Sequence, residues 1–268
     1  MPKPLSIVIR VAFVVSVALR SRERHDAVMK SRKLYSTPKR RNAELTRAKI
    51  LQAALREFSE RGLRAASTDA IAARCNVNKR MIYYYYESKE GLYLAALEWV
   101  LENLVAREKE INIEHLDPPA AIEAMINLKI DYYLENPYFM SFLAMENFHQ
   151  ARYLRTSKKL ARFKTPLTEV ITRILKRGQM SGDFRHDVDP IDFYISMCSL
   201  CMMYFSNQHT FGAIFERDMM SQVNIAKRRQ TVIDFVLSYL RSPQAIRQQA
   251  TRLAAPRRNS RGSVSLVT

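Results

Sequence analysis

Apolar residues recur every three or four positions along most of this chain, which is the spacing of an amphipathic helix. In the stretch 44–61, for example, Ile50, Ala54 and Phe58 repeat every four residues and predict a helix. The alternation typical of strands does not occur, and turn signals separate the apolar stretches. The pattern predicts an all-α protein, whose further long segments are 88–112, 119–135, 138–150, 152–163, 166–180, 190–214 and 219–241.

Two short helices joined by a tight turn are predicted within the segment STDAIAARCNVNKRMIYYYYESKEG, from Ser67 to Gly91. Ser67 and Thr68 are residue types that cap a helix N terminus, because a side-chain oxygen accepts from a free backbone N–H. Asn76 tolerates the left-handed conformation that ends a helix, and Asn78 can cap the next one. This order of elements is typical of a helix-turn-helix, whose second helix enters the major groove of DNA.

The side chains on the outer side of that second helix have the chemistry of DNA recognition. Arg80 can make a bidentate contact to guanine, Asn78 can pair with adenine, and Met81 can cover a thymine methyl group. Tyr83 and Tyr84 can donate hydrogen bonds to phosphate oxygens. The candidate DNA-contacting residues are therefore Thr68, Asn78, Lys79, Arg80, Met81, Tyr83, Tyr84 and Lys89.

The same spacing also fits small helical proteins that do not bind DNA, in which Tyr83–Tyr86 would be part of the core. Four consecutive tyrosines on a helix cannot all face inward, so at least two hydroxyl groups must lie at the surface. Spacing alone leaves both interpretations open.

The run AKILQAALREFSERGLRAASTDAIAARCNVNKRMIYYYYESKEGLY resembles the DNA-binding domain of the TetR/AcrR family of transcriptional regulators. Two positions depart from the commonest pattern: Arg80 replaces a small residue, and Tyr86 replaces a phenylalanine. The first leaves the operator sequence open, and the second requires a hydrogen-bond partner for a hydroxyl group. The matching motif positions are Phe58, Gly62, Thr68, Ile71, Ala72, Val77, Lys79, Ile82, Tyr83, Ser88, Lys89 and Glu90.

The resemblance implies an N-terminal three-helix DNA-binding domain followed by a larger helical domain for ligand binding and dimerisation. It implies a homodimer formed through stretches 190–207 and 225–241, a palindromic double-stranded DNA operator, and a small-molecule effector that releases a repressor from it. Activation instead of repression stays open. A helical enzyme is the alternative class, but HExxH, P-loop and GxSxG motifs are missing from the sequence. No cofactor or metal is expected, and the expected location is cytoplasmic and nucleoid-associated.

The net charge of +17 is concentrated at the two ends of the chain. Residues 1–43 carry +9 and residues 241–268 carry +6, so the stretch between them is nearly neutral. Basic ends strengthen salt-sensitive contact with phosphates, but they are equally typical of solvated tails. The expected domains are a disordered basic extension (1–43), the DNA-binding domain (44–91), the ligand-binding and dimerisation domain (92–241) and a disordered basic tail (242–268).

The segment LSIVIRVAFVVSVAL at residues 5–19 is apolar, but it is shorter than a membrane span and contains Arg10. A start at Met29 would leave an ordinary basic arm before the first DNA-domain helix, so residues 1–28 are hypothesised not to belong to the native protein. No stable membrane association is expected, although tethering through residues 5–19 is an alternative.

The C-terminal part is rich in methionine and aromatic residues, which line either a ligand cavity or an ordinary core. Polar residues within apolar runs are the better cavity candidates, because buried polar groups need partners. Cys198 and Cys201 form a CxxC in an apolar helix without a second pair of ligands, which favours core packing over a metal site. The candidate ligand-binding residues are Asn147, His149, Arg152, Tyr194, Asn207 and His209.

Overall fold

A computed structural model describes residues 38–110, 113–243 and 245 of the chain. The described residues confirm the all-α class, and one isolated antiparallel bridge joins Phe184 to Arg241. The helices are α1 (Pro38–Ala65), α2 (Thr68–Cys75), α3 (Lys79–Tyr86), α4 (Lys89–Glu110), α5 (Pro118–Glu135), α6 (Tyr138–Phe148), α7 (Arg152–Thr156), α8 (Lys164–Met180), α9 (Pro190–Ser206), α10 (Gln208–Ile214) and α11 (Gln222–Leu240), with 3-10 turns at Ile113–His115 and Leu160–Phe163.

Helix α1 begins at Pro38, six residues before the predicted start at residue 44. Proline suits the first turn of a helix because its missing N–H would have no partner there. Residues 38–43 therefore belong to α1 and not to the expected extension. Gly62 has φ of +70° and interrupts the helical geometry where the sequence predicted the helix end.

The apolar run at residues 5–19 lies outside the described residues, as does the proposed start at Met29. Within the part that the structure describes, none of the helices combines the length and the apolar character that crossing a bilayer requires.

A continuous hydrophobic cluster extends from Ile50 in α1 to Leu240 in α11. In its N-terminal part α1 packs against α2, α4 and α6, and in its C-terminal part α5 packs against α8, α9 and α11. Helix α4 belongs to both parts: Leu92 and Tyr93 are buried near its start, and Leu104 is buried two-thirds of the way along it. The predicted boundary after residue 91 therefore falls within a single helix.

The helices of the C-terminal part are more interrupted than their apolar pattern predicted. The predicted segment 152–163 is a short α7 followed by a 3-10 turn, and the segment 190–214 breaks at Asn207. The expected tail starts too early: the Ser242 N–H donates to the Asp183 carbonyl at 2.9 Å, and its side chain is buried. Most of the remaining tail lies beyond the described residues.

Candidate functional sites

The turn between α2 and α3 has the local geometry that its sequence predicted. The Ser67 Oγ accepts hydrogen bonds from two backbone N–H groups at the start of α2. Asn76 ends that helix in the left-handed region, with φ and ψ both at 52°. The Asn78 Oδ1 then accepts from the Arg80 N–H at 2.9 Å and caps α3. These caps fix both helix ends through short-range contacts.

The inner face of α3 is formed by Ile82 and Tyr86, which are both buried. The Tyr86 hydroxyl group donates to the Arg47 carbonyl oxygen of α1 at 2.9 Å, and the Arg47 guanidinium lies over the same ring. This supplies the hydrogen-bond partner that tyrosine needs at a position where phenylalanine is common.

The outer face of α3 presents Arg80, Tyr83 and Tyr84 to solvent. Tyr84 is 76% exposed and Tyr83 is 44% exposed, so two of the four consecutive tyrosines do lie at the surface. Within the described residues the Arg80 guanidinium has no hydrogen-bond or ion-pair partner. The exposed Lys79 ammonium pairs with Asp69 of α2 at 2.7 Å.

The other predicted DNA-contacting residues make contacts inside the protein. The Asn78 Oδ1 caps α3, so pairing both ends of its amide with adenine would break that cap. Thr68 is only 8% exposed, and its hydroxyl lies 3.4 Å from that of Tyr83. The Lys89 ammonium donates to the Arg64 and Ala66 carbonyls at 3.1 Å, and Met81 is half-buried against the core.

A cavity of about 710 Å³ lies in the C-terminal part, between α4, α5, α6, α7 and α9. Its size falls within the range of small-molecule sites, and most of its lining is apolar. It is lined by Leu101, Leu104, Val105, Lys129, Tyr133, Phe139, Leu143, Leu154, Arg155, Ser157, Leu160, Ala161, Tyr194, Ile195, Cys198, Ser199 and Met202.

One wall of the cavity carries a buried polar cluster of Glu108, Lys129 and Tyr194. The Lys129 ammonium is fully buried, donates to Glu108 Oε1, and donates to the Tyr194 hydroxyl at 3.0 Å. Tyr194 in turn donates to Glu108 at 3.1 Å. Burial by itself would lower the pKa of Lys129, but the adjoining Cys198 and Glu108 reverse this and hold the pKa above its ordinary value. The cluster therefore contains one ion pair, between Lys129 and Glu108, whose opposite charges balance.

Of the six predicted ligand-binding residues, only Tyr194 lines this cavity. Asn147 and Arg152 are exposed, and His149 packs edge-on against Phe148 and Tyr153. The assignment of Asn147, His149, Arg152, Asn207 and His209 to the cavity is corrected, because none of them is among the residues that line it. Asn207 caps the end of α9, and His209 is exposed at the start of α10.

Lys129 and Glu108 were missed as site residues, although the sequence contains a signal for both. Lys129 lies three residues after Ile126 and four before Tyr133, on the buried stripe of α5. Glu108 lies four residues after Leu104, on the corresponding stripe of α4. A charged residue at a core position of each of two helices indicates a buried pair.

The two cysteines of the CxxC motif lie in different surroundings, one in the core and one at the cavity. Cys201 is fully buried, and burial raises the pKa of its thiol to about 12. Cys198 is half-buried and lines the cavity beside the polar cluster. Across the described residues, no three His, Cys, Asp or Glu side chains come together in a group suited to a metal ion.

A buried carboxylate links the cavity to the DNA-binding part. Glu146 of α6 accepts from the Tyr93 hydroxyl at 3.0 Å and, through its other oxygen, from the Leu154 N–H at 2.9 Å. The Leu154 side chain lines the cavity, while the Tyr93 ring packs edge-on against Phe58 of α1 with centroids 5.4 Å apart. A chain of contacts therefore connects the cavity lining to α1, the helix that packs against α2.

Comparison with known families supports the arrangement described above. Residues 50–96 match the family described as bacterial regulatory proteins, tetR family, and residues 118–236 match the tetracyclin repressor-like C-terminal domain.

The HTH-type transcriptional repressor NicS of Pseudomonas putida is 33% identical over 199 residues, which cover 74% of this chain and 94% of NicS. The HTH-type transcriptional regulator RutR of Escherichia coli is 36% identical over 112 residues, which cover 41% of this chain and 52% of RutR. Among solved structures, a regulatory protein in the tetR family from Rhodococcus RHA1 has a TM-score of 0.58 and 20% identity, covering 73% and 96% of the two chains. That structure supports the fold. The two family matches and the similarity to NicS show that the chain belongs to the tetR family of bacterial transcriptional regulators.

Proposed function

We propose that this protein is a homodimeric repressor that binds a palindromic operator and is released by a small molecule bound in the 710 Å³ cavity. The observation that carries the proposal is the path of α4. This helix begins beside the helix-turn-helix at Lys89 and, three turns later, lines the cavity with Leu101, Leu104 and Val105. One rigid element thus contacts both sites.

Arg80 is the proposed base-reading residue. Its guanidinium is exposed and has no partner within the described residues, so binding guanine O6 and N7 breaks no internal contact. Tyr83 and Tyr84 are proposed to donate to phosphates, and Lys79 to add charge beside them. Asn78, Thr68, Met81 and Lys89 are proposed to support this surface by holding α3 and α4 in place.

The proposed dimer interface is the outer face of α9 and α11. Ile191 and Ile195 are 54% and 55% exposed on α9, and Phe235 and Tyr239 are 66% and 51% exposed on α11. Each pair is four residues apart and therefore lies on one side of its helix. Val232, Val236 and Leu240 do not belong to this face, because they are buried in the chain's own core. A large exposed apolar surface of this kind is typical of an interface.

The proposed release mechanism is a shift of α4 and α7 when the cavity fills. Leu154 lines the cavity, and its backbone is held by the same Glu146 that binds Tyr93 of α4. In a dimer this shift would change the distance between the two copies of α3. Because coupling between sites is reciprocal, effector and operator must weaken each other's binding by the same factor.

Selection of bound sequences from random DNA with the purified full-length protein tests the proposal. The expected result is a near-palindromic consensus whose half-sites are separated by about one helical turn, with binding that survives competitor DNA. Absence of any sequence preference in the ligand-free protein would refute it. Addition of a compound that occupies the cavity should then lower operator affinity.

A further inference from the structure

The polar wall of the cavity presents two hydrogen-bond donors that a ligand oxygen can use. Tyr133 lines the cavity and is only 5% exposed, and its hydroxyl group has no hydrogen-bond partner among the described residues. A lysine ammonium has three N–H donors: Lys129 uses one for Glu108 and one for Tyr194, and the third faces only the weak acceptor sulfur of Cys198. A ligand oxygen is a better acceptor than a thiol, so both donors on the cavity wall are available to bind one.

The two donors belong to the same face of one helix. Lys129 and Tyr133 are four residues apart on α5, which places their Cβ atoms about 5–6 Å apart. Both side chains line the cavity. Burial raises the pKa of the Tyr133 hydroxyl, while the charge of Lys129 acts in the opposite direction. A ligand oxygen at this part of the wall can therefore approach both donors.

The charge of that ligand follows from Glu108. The Lys129–Glu108 pair is already neutral and is 0% and 5% exposed, so a second carboxylate in contact with Lys129 would lie beside a buried negative charge. Repulsion between like charges is strong where water is excluded. A neutral acceptor, such as a carbonyl oxygen, meets the same donors without that cost.

We propose that the effector of this protein is an uncharged, mainly apolar molecule with a carbonyl-type oxygen, which accepts hydrogen bonds from Lys129 and Tyr133. The apolar body fills the space between Leu101, Leu143 and Met202. This inference rests on the proposed function, since it specifies the class of molecule that the regulatory cavity binds.

An anionic effector would require a cation elsewhere, and Arg155 on the cavity lining is the one to test. Its side chain is exposed and has no ion-pair partner in the part of the chain that the structure describes. An exposed guanidinium is hydrated by water and does not need a ligand charge. Tight binding of an anionic probe that depends on Arg155 would therefore contradict a neutral effector.

Three probes of nearly the same shape separate these possibilities: 4-phenylbutan-2-one is a neutral ketone, 3-phenylpropanoate is its carboxylate counterpart, and butylbenzene has no acceptor. Binding of each to the full chain is measured by isothermal titration calorimetry. The ketone is expected to bind at least about 10-fold more tightly than either of the others. Tyr133→Phe should weaken ketone binding about 3- to 10-fold and leave butylbenzene unchanged, because it removes one hydrogen bond.

The matched control is Tyr138→Phe, which removes the hydroxyl group of a half-buried tyrosine that does not line the cavity. It should leave the affinity for the ketone unchanged. The inference is overturned if the carboxylate binds more tightly than the ketone and loses that advantage in Arg155→Met. It is also overturned if Tyr133→Phe has no effect on ketone binding, or if none of the probes binds up to its solubility limit. Operator selection uses no probe, so failure of the proposed function is detected separately.

Discussion

Replacing Lys129 with methionine tests the buried ion pair directly. The substitution keeps the length of the apolar stem but leaves the Glu108 carboxylate, which is 5% exposed, without its cation. Breaking a buried pair in this way costs about 3–5 kcal/mol, because a charge stays in a low-dielectric environment without compensation. The Tyr194 hydroxyl also loses one of its two neighbours in the cluster.

The double variant Lys129→Met with Glu108→Gln removes both charges. We expect it to recover most of the lost stability, because the remaining groups are neutral and of similar size. The coupling between the two positions in a double-mutant cycle should therefore be at least about 2 kcal/mol. The free energy of unfolding of the parent, the two single variants and the double variant is measured by urea unfolding at one fixed protein concentration, followed by far-UV circular dichroism.

Lys159→Met is the matched control, because Lys159 pairs with Glu102 at 2.6 Å while 53% of its side chain is exposed. Exposed pairs contribute about 0–1 kcal/mol, so this variant should be nearly as stable as the parent. A cost below about 1 kcal/mol for Lys129→Met, or a double variant no more stable than the single one, would contradict the assignment of a buried, mutually dependent pair.

Three further predictions concern the DNA-binding surface, the dimer and the packing of α3. Arg80→Ala should weaken operator binding by about 1–3 kcal/mol at one base pair and relax the preference there, as measured by competition binding with single-base operator variants. An equal loss of affinity on all sequences would mean that Arg80 contacts phosphate. Phe235→Asp should convert the proposed dimer to a monomer in sedimentation equilibrium, while Phe148→Asp, at a position 81% exposed on another face, should not. Tyr86→Phe removes the hydrogen bond to the Arg47 carbonyl and should destabilise the protein by about 0.5–1.5 kcal/mol in urea unfolding; no change would mean that water replaces the hydroxyl group.

The helix-turn-helix was predictable because its geometry is set by neighbouring residues. Ser67, Asn76 and Asn78 each act on backbone groups within four positions of themselves, so the sequence carries the information locally. The same local reasoning assigned the Asn78 side chain both to the cap of α3 and to a contact with adenine. In the structure its Oδ1 caps α3, so a bidentate contact to adenine would compete with that cap.

The position and lining of the cavity could not be predicted from the order of residues along the chain. Its lining joins residues from 101 to 202, and the positions of those residues depend on how five helices pack. Asn147 and His149 were reasonable as polar residues in an apolar run, but at the end of α6 neither side chain is part of the cavity lining. Only packing could show which polar residues in the apolar runs reach the cavity.

The sequence by itself determined that this chain is helical, where its helix-turn-helix begins and ends, and which family it resembles, because caps and apolar periodicity act over one or two turns. Tertiary structure alone decided that Lys129 meets Glu108 across 21 positions, and that the Tyr133 hydroxyl lines the cavity without a hydrogen-bond partner among the described residues. Contacts between distant segments depend on the relative placement of whole helices. That placement is set by the summed packing of the core and not by any single motif.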